Sequence, residues 1–399
     1  MGPTVALAHD YLTQRGGAER VALTMAQAFP SSPLYTTLYH PDGTYPEFAD
    51  VDVRPSRLDR VGLLRRNHRL ALPLLRGAVE SQAVDADVLL ASSSGWAHRY
   101  RGARRTVVYC YAPARWLYQR DRYLSGASGR AWKDRWRTGL AGAALDLLGP
   151  GLRASDTAAA ARADVYLAVS TVARDAVREA YGIDAEVVPP PPAMEPEGPA
   201  SPVPGVAPGY LLCVARLLPY KNVDVVVAAA RRLRLPLVVV GVGPDRERLE
   251  RLAGDALVAP GTPAAGREDG VRLVGKVDDA QLRWLYGNAS LLVATSYEDY
   301  GLTPLEAAAF GVPAVTLGTG GYLDTVVDGV TGLYVERPEA AQVAEGIEAA
   351  LRRSWDQEAI GVHVKGFSRD AFVARLQAVV AQEVAVARAP GTRGEVGVR

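Results

Sequence analysis

Residues 296–307 read Ser296-Tyr297-Glu298-Asp299-Tyr300-Gly301-Leu302-Thr303-Pro304-Leu305-Glu306-Ala307, an acidic loop that turns directly into a helix. Before it, Leu291 to Ala294 is an apolar run of strand length; after it, Leu305 to Phe310 is apolar and alanine-rich until Gly311 and Pro313 stop it. The order is strand, loop, helix. In an open parallel sheet that order puts the loop at the carboxyl edge, where ligands bind, and aims the free N–H groups of the helix start at them. Two acids bracket the loop. Thr303-Pro304-Leu305-Glu306 reads as a capping box, with Thr303 at the N-cap, Pro304 at the first helical position and Glu306 reaching back. Glu298 caps nothing, so it is either merely solvated or a ligand-binding acid.

Working outward, the same alternation fills the second half. Strands are expected at Tyr210–Ala215, Leu237–Val240 and Val271–Val274, with helices from Val223 and Asp245. Between the first strand and its helix stand Arg216 and Lys221, two cations at a strand's carboxyl edge, suited to a diphosphate or simply a solvated turn. Gly241-Val242-Gly243-Pro244 lacks the last glycine of a dinucleotide fingerprint and reads as a turn.

The first half repeats the pattern. Val5–Ala8 is a strand that runs through His9-Asp10-Tyr11 into Gly16-Gly17-Ala18-Glu19 and a helix to about Phe29. Adjacent glycines let a backbone approach a ligand, although such a turn is commonly just a tight connection. Further strands are expected at Leu34–Leu38, Asp87–Ser92, Thr106–Tyr111, Val165–Val169 and Ala185–Val188, with a helix over Thr171–Tyr181. Arg57 to Val79 is amphipathic and basic, either a surface helix or a face that docks on an anionic membrane. Trp132, Lys133, Arg135, Trp136 and Arg137 form a second basic and aromatic cluster. Pro189 to Pro192 opens a proline-, glycine- and glutamate-rich stretch to about Gly209, read as a plain spacer.

The chain of 399 residues, 48% apolar and 22% charged, has the composition of a globular protein with about two cores. A net charge of +1 gives no global attraction to nucleic acid. No run is long and apolar enough to span a bilayer, and Met1–Asp10 lacks signal-peptide character, so a cytoplasmic location is expected. Cys110 and Cys213 each lie in apolar strand-like runs, which predicts buried free thiols.

The 296–307 stretch resembles the Glu-x7-Glu signature of the retaining glycosyltransferases of family 4, down to Gly301-Leu302, Leu305-Glu306-Ala307 and the Gly311–Val315 strand entry. The resemblance covers nearly the whole chain. It implies the α/β GT-B fold: two Rossmann-like doubly wound domains facing across a cleft. The expected organisation is an acceptor-side domain over 1–192, a linker over 193–208 and a nucleotide-sugar domain over 209–367. A helix over 368–388 would then return to the first domain, ahead of a frayed tail at 389–399. The resemblance further implies a donor site in which Arg216 and Lys221 neutralise the diphosphate and Glu298 faces the sugar hydroxyls. In it Tyr300, Gly301, Leu302 and Thr303 line the phosphates, Glu306 holds the ribose, and Val274 and Lys276 flank the base. Gly318 to Tyr322 would lie behind the sugar, and Gly16 and Gly17 across the cleft.

The chain resembles members of the polysaccharide and O-antigen mannosyltransferase type in His9-Asp10-Tyr11-Leu12 and Arg66-Asn67-His68-Arg69. There is one departure: Cys110-Tyr111-Ala112-Pro113 stands where those relatives carry Cys-His-x-Pro, and Tyr111 does not readily carry a positive charge. His9, His98, Tyr111 and Arg115 are the expected residues of the sugar or acceptor side. The implied reaction moves a hexose of mannose or glucose type from a nucleoside-diphosphate sugar to a hydroxyl of a glycan, a lipid-linked sugar or a small natural product, with retention. Fixed cations replace a metal cofactor, and no Asp-x-Asp stands at a strand end. The competing classes are a nucleotide-sugar-binding protein without transfer and an NAD(P) dehydrogenase. Contact with the inner face of a membrane and no nucleic-acid partner complete the expectation.

Overall fold

The computed structural model describes residues 4–118, 149–259, 262 and 269–389. The chain divides into two compact units, one comprising Met1–Pro191 with Arg369–Arg399, the other Pro192–Ser368. The cluster at 132–137 and the tail from 390 lie outside the described residues.

Unit one is built on seven parallel strands: β1 (Val5–His9), β2 (Leu34–Thr36), β3 (Val53–Pro55), β4 (Val88–Ser93), β5 (Arg105–Cys110), β6 (Val165–Ala168) and β7 (Glu186–Val187), in the order β3-β2-β1-β4-β5-β6-β7. The central strands are apolar on both faces because helices cover both sides of a parallel sheet. The order reverses between β1 and β4, which opens a crevice at their carboxyl ends. Helix Arg369–Arg388 belongs to this unit. Its Phe372, Leu376, Val379 and Val380 are buried, and the Phe372 ring meets Tyr109 edge-on at 5.6 Å. Arg105 on β5 bonds its Glu383 at 2.6 Å, and its Arg375 bonds Glu186 on β7 at 2.7 Å, so ion pairs hold its rim.

Unit two carries six parallel strands: β8 (Tyr210–Val214), β9 (Leu237–Val240), β10 (Val271–Gly275), β11 (Ala289–Ala294), β12 (Ala314–Leu317) and β13 (Gly332–Val335), ordered β10-β9-β8-β11-β12-β13. Alternate residues feed two cores: Leu211, Cys213, Val239 and Val293 pack on one face, and Tyr210, Leu212, Val238 and Leu292 on the other. The order reverses between β8 and β11. Cys110 and Cys213 are buried free thiols, and burial pushes the Cys213 thiol up to about 12. Gly241-Val242-Gly243 is an irregular segment pressed against the Ala215–Leu217 backbone, and the turn follows at Pro244-Asp245. Gly241 takes φ +137°, and a Cβ on it would collide with the Ala215 carbonyl.

Three expectations are corrected. The stretch 57–79 is not one helix: a 3-10 turn Arg57–Arg60 and helix Gly62–Arg66 precede helix His68–Glu80, with a break at Asn67, whose φ −138° and ψ 72° leave helical space. The proline-rich segment is not a plain spacer. Its Met194 and Val203 are buried in the second core of unit two, and Arg283 donates to the Glu195 carbonyl at 3.1 Å. Thr303 is not an N-cap: the helix runs Leu302–Ala309 with Gly301 as its cap residue. Among the described residues, no helix is long and apolar enough to cross a membrane.

Candidate active site

At the carboxyl ends of β8 and β11 the chain brings its motif residues together. Asn222 is left-handed at φ 52° and donates to the Thr295 carbonyl at 2.9 Å, while Thr295 Oγ1 donates to the Asn222 carbonyl at 3.2 Å. This reciprocal tie clamps the loop after β8 to the loop after β11. It sets Lys221 Nζ on Glu298 Oε1 in a partly buried ion pair, and Ser296 Oγ donates to the same oxygen at 2.6 Å. Arg216 is exposed and donates to the Tyr220 hydroxyl at 3.2 Å. One cation is therefore already neutralised by Glu298, while the other stands at the surface.

Gly301 starts the next helix at φ +84°, where a Cβ would come 2.5 Å from the Tyr322 ring. Gly321 donates its N–H to the Glu298 carbonyl at 2.7 Å, and a Cβ on Gly321 would overlap the Tyr300 backbone. Glycines at 301 and 321 thus let the 298–301 and 318–322 loops lie backbone to backbone, with Tyr300 buried beneath them. No side chain caps the helix. Pro304 has no N–H, so the outward donors of its first turn are the amides of Leu302 and half-buried Thr303.

Glu306, a capping acid by its local pattern and a ribose ligand by the resemblance, does not fold back on its own helix but accepts a hydrogen bond from the Tyr286 hydroxyl at 2.5 Å inside the unit. Tyr286 is fully buried and stacked on Phe310 at 5.5 Å; burial first, then Glu306, pushes its phenol well above the ordinary range, so it stays a donor. Val274 and exposed Lys276 border a pocket of about 460 Å³, which Val203, Val206, Arg272 and Gln281 also line.

Unit one has its own polar cluster at the β1 and β4 ends. Asp10 is 1% exposed and accepts from the Ser94 amide and hydroxyl, both at 2.6 Å, and from the Trp96 and Ala97 amides at 2.8 and 2.6 Å. It is a carboxylate spent on shaping the loop after β4. Beside it His9 Nδ1 lies 2.9 Å from Ser92 Oγ, which lies 2.9 Å from the Tyr111 hydroxyl, which donates to the Ala18 carbonyl at 3.1 Å. Gly16 is the cap residue of helix Gly17–Ala28, and Glu19 Oε2 sits 2.5 Å from where a Gly16 Cβ would be. Burial raises the Glu19 carboxyl above its usual range, with His9 and Gln14 opposing.

His98, expected on the sugar side, has a different setting. Its Nδ1 meets Ser93 Oγ at 3.2 Å and its Nε2 meets Asp156 at 3.2 Å, in a buried cluster with Arg99 and Tyr181. Burial opposes ionisation of Asp156, yet these partners hold its carboxyl below the usual range. Arg115 is exposed at the start of a short helix, Arg115–Tyr118. Sequence reasoning did not find Asn222, Tyr286 or Glu19 as parts of these clusters; only Glu19, adjoining a glycine pair, carried any local signal. Among the described residues, no group of three or more His, Cys, Asp or Glu side chains is placed to hold a metal.

Two family models match the chain: one described as Glycosyltransferase Family 4 over residues 15–195, the other as glycosyl transferases group 1 over 201–362. A D-inositol 3-phosphate glycosyltransferase of Actinosynnema mirum is 30% identical over 299 residues, 65% of this chain and 70% of the relative. A protein of the same name from Frankia alni is 37% identical over 153 residues, 36% of this chain but only 37% of that relative's length. Among solved structures, sucrose-phosphate synthase of Thermosynechococcus elongatus aligns with a TM-score of 0.66 at 19% identity, covering 96% of this chain and all (100%) of the other. Anabaena HepE in complex with UDP-glucose aligns at 0.63 and 16% identity, covering 95% and 99%. At these identities the likeness shows the fold, which is GT-B.

Proposed function

The chain belongs to glycosyltransferase family 4, and from that premise we propose that it transfers a hexosyl group of mannose or glucose type from a nucleoside-diphosphate sugar to a hydroxyl acceptor, with retention and without a metal. The observation that carries this reading is the meeting of Lys221, Glu298 and the Gly301 helix start at the β8–β11 switch point, with Arg216 exposed nearby.

The leaving diphosphate needs fixed positive potential while the anomeric carbon becomes cationic. Arg216, Lys221 and the Leu302 and Thr303 amides supply it. Glu298 holds one of the three Lys221 N–H donors, so a diphosphate that draws the ammonium toward itself loosens that contact and frees Glu298 for the sugar hydroxyls. Glu306, held by Tyr286, serves the ribose, and Val274 and Lys276 lie toward the base. Unit one supplies the acceptor side through His9 and Arg115, with Tyr111 behind His9 and Ser92, beside the Gly16-Gly17 loop. The relatives' name makes a phosphorylated polyol one acceptor to test, beside glycans and lipid-linked sugars.

The Lys221–Glu298 contact gives the test. Glu298→Gln leaves Lys221 without its anion, so affinity for bare UDP or GDP should rise several-fold while transfer from the matching sugar falls by on the order of a hundredfold. A thermal-shift screen of nucleoside-diphosphate sugars identifies the donor, since a ligand at a hundred times its dissociation constant stabilises by about 2.7 kcal/mol. Donor binding without transfer to any acceptor or water would favour the binding-protein reading instead.

We also propose that the broken helical segment meets an anionic membrane. Leu63, Leu70 and Leu74 are exposed, Leu63 by 68%, beside Arg65 and Arg66. Sedimentation with anionic but not neutral vesicles is expected, and should be lost in Leu63→Asp.

A further inference from the structure

The polar chain His9, Ser92, Tyr111, Ala18 in unit one has a direction. The Ala18 carbonyl can only accept, so the single Tyr111 proton is spent on it at 3.1 Å. The Tyr111 oxygen must then accept from Ser92, 2.9 Å away, which uses the single Ser92 proton. Ser92 Oγ must in turn accept from His9 Nδ1 at 2.9 Å. The proton of a neutral His9 ring is thereby fixed on Nδ1, and Nε2 is left with its lone pair.

His9 is only 2% exposed, and among the described residues its Nε2 has no hydrogen-bond partner. A ring nitrogen with a fixed lone pair, on an otherwise buried side chain at a sheet switch point, is an unspent acceptor. We propose that His9 Nε2 is the unit-one acceptor for a substrate sugar hydroxyl, and that Tyr111, acting through Ser92, is the positioning residue that holds His9 in the required tautomer.

Burial keeps the Tyr111 phenol far above its ordinary range, so its one proton does not titrate away. A histidine at position 111 could interconvert between tautomers and would not enforce a single direction. The Tyr-for-His departure therefore has a chemical consequence at His9. The sugar hydroxyl as ligand rests on the transferase reading; the tautomer does not.

The chain has five histidines, so nitrogen-15 histidine labelling with His9→Asn for assignment resolves the ring. Wild-type His9 is expected as the neutral Nδ1–H tautomer. In Tyr111→Phe the Ser92 proton loses its phenolic acceptor and turns to Nδ1, so the signal should change to the Nε2–H tautomer. Ser92→Ala, which removes the relay, should give mixed tautomers, and circular dichroism checks that each variant is folded. An Nε2–H wild type, or a folded Tyr111→Phe whose His9 keeps its tautomer, overturns the lock. The flipped variant should lose roughly tenfold in kcat/KM, one good hydrogen bond's worth. Wild-type kcat/KM in a flipped variant overturns the role in substrate binding. Absence of donor binding by the wild-type chain would strike the transferase reading alone, and the nuclear magnetic resonance result would stand.

Discussion

Tyr286→Phe separates a structural from a ligand-directed Glu306. The change removes one oxygen and keeps the ring stacked on Phe310 at 5.5 Å, so packing volume is conserved. What is lost is the 2.5 Å hydrogen bond to a carboxylate that is 7% exposed. A hydrogen bond to a charged group contributes about 1.5–3 kcal/mol. For a unit of this size that corresponds to roughly 3–12 °C in melting temperature. If Glu306 also holds the ribose, losing its anchor disorders the ligand-binding oxygen, and donor affinity should fall about tenfold, or about 1.4 kcal/mol. The assay is a melt and a donor titration of Tyr286→Phe, Glu306→Gln and the double variant. A coupling energy of about 1–3 kcal/mol in the stability cycle is expected. Thr303→Ala is the control: it keeps the backbone amide assigned to the diphosphate and should be silent in the melt, because Gly301 is the cap residue. A lower melting temperature with wild-type donor affinity would refute the link from Tyr286 to the ligand. A Thr303→Ala loss of about 1 kcal/mol would restore the capping box.

Three further outcomes are expected. Arg216→Ala and Lys221→Ala should each lower transfer by on the order of a hundredfold or more, as removal of fixed charge from a leaving group does, and near wild-type turnover in either would count against the donor site. EDTA should leave turnover intact, and recovery only with added magnesium or manganese would reject the metal-free reading. Glu19→Gln should raise the melting temperature at pH 7. The buried carboxyl of Glu19 has a raised pKa, so its stabilising protonated form is fully present below the unfolded value near 4.5 and is lost as pH rises through the folded one. The variant's advantage should vanish in melts near pH 4, and an advantage that persists there would refute the burial argument.

Much of this was legible because parallel sheets impose a strict grammar. Strands such as Leu237–Val240 and Leu291–Ala294 are continuous apolar runs, as burial on both faces demands, and the residues that follow them fall at the carboxyl edge without further information. That placed Arg216, Lys221, Glu298 and Gly301 correctly at the ends of β8 and β11. The capping box misled for a local reason. Thr303 fits the pattern, but Gly301 at φ +84° begins the helix earlier and puts Glu306 on its buried side. Local sequence cannot show that, because the competing partner, Tyr286, arrives from a different helix, Asp279–Gly287.

The same limit governs charge. From sequence, Lys221 and Glu298 were two separate ligand contacts; folded, they are each other's partner across a separation of 77 residues. The fold brings them together because β8 and β11 are adjacent at the point where strand order reverses, and the Asn222–Thr295 tie closes the distance. A site assembled at a switch point draws its two walls from chain segments far apart. Its residue types are therefore readable in advance, but its resting charge state is not. An unpaired Lys221 would offer a standing site to any phosphate. Paired with Glu298, its charge is already partly offset, so a bare phosphate gains less from it, and a donor sugar whose hydroxyls engage the same carboxylate gains what a bare phosphate does not.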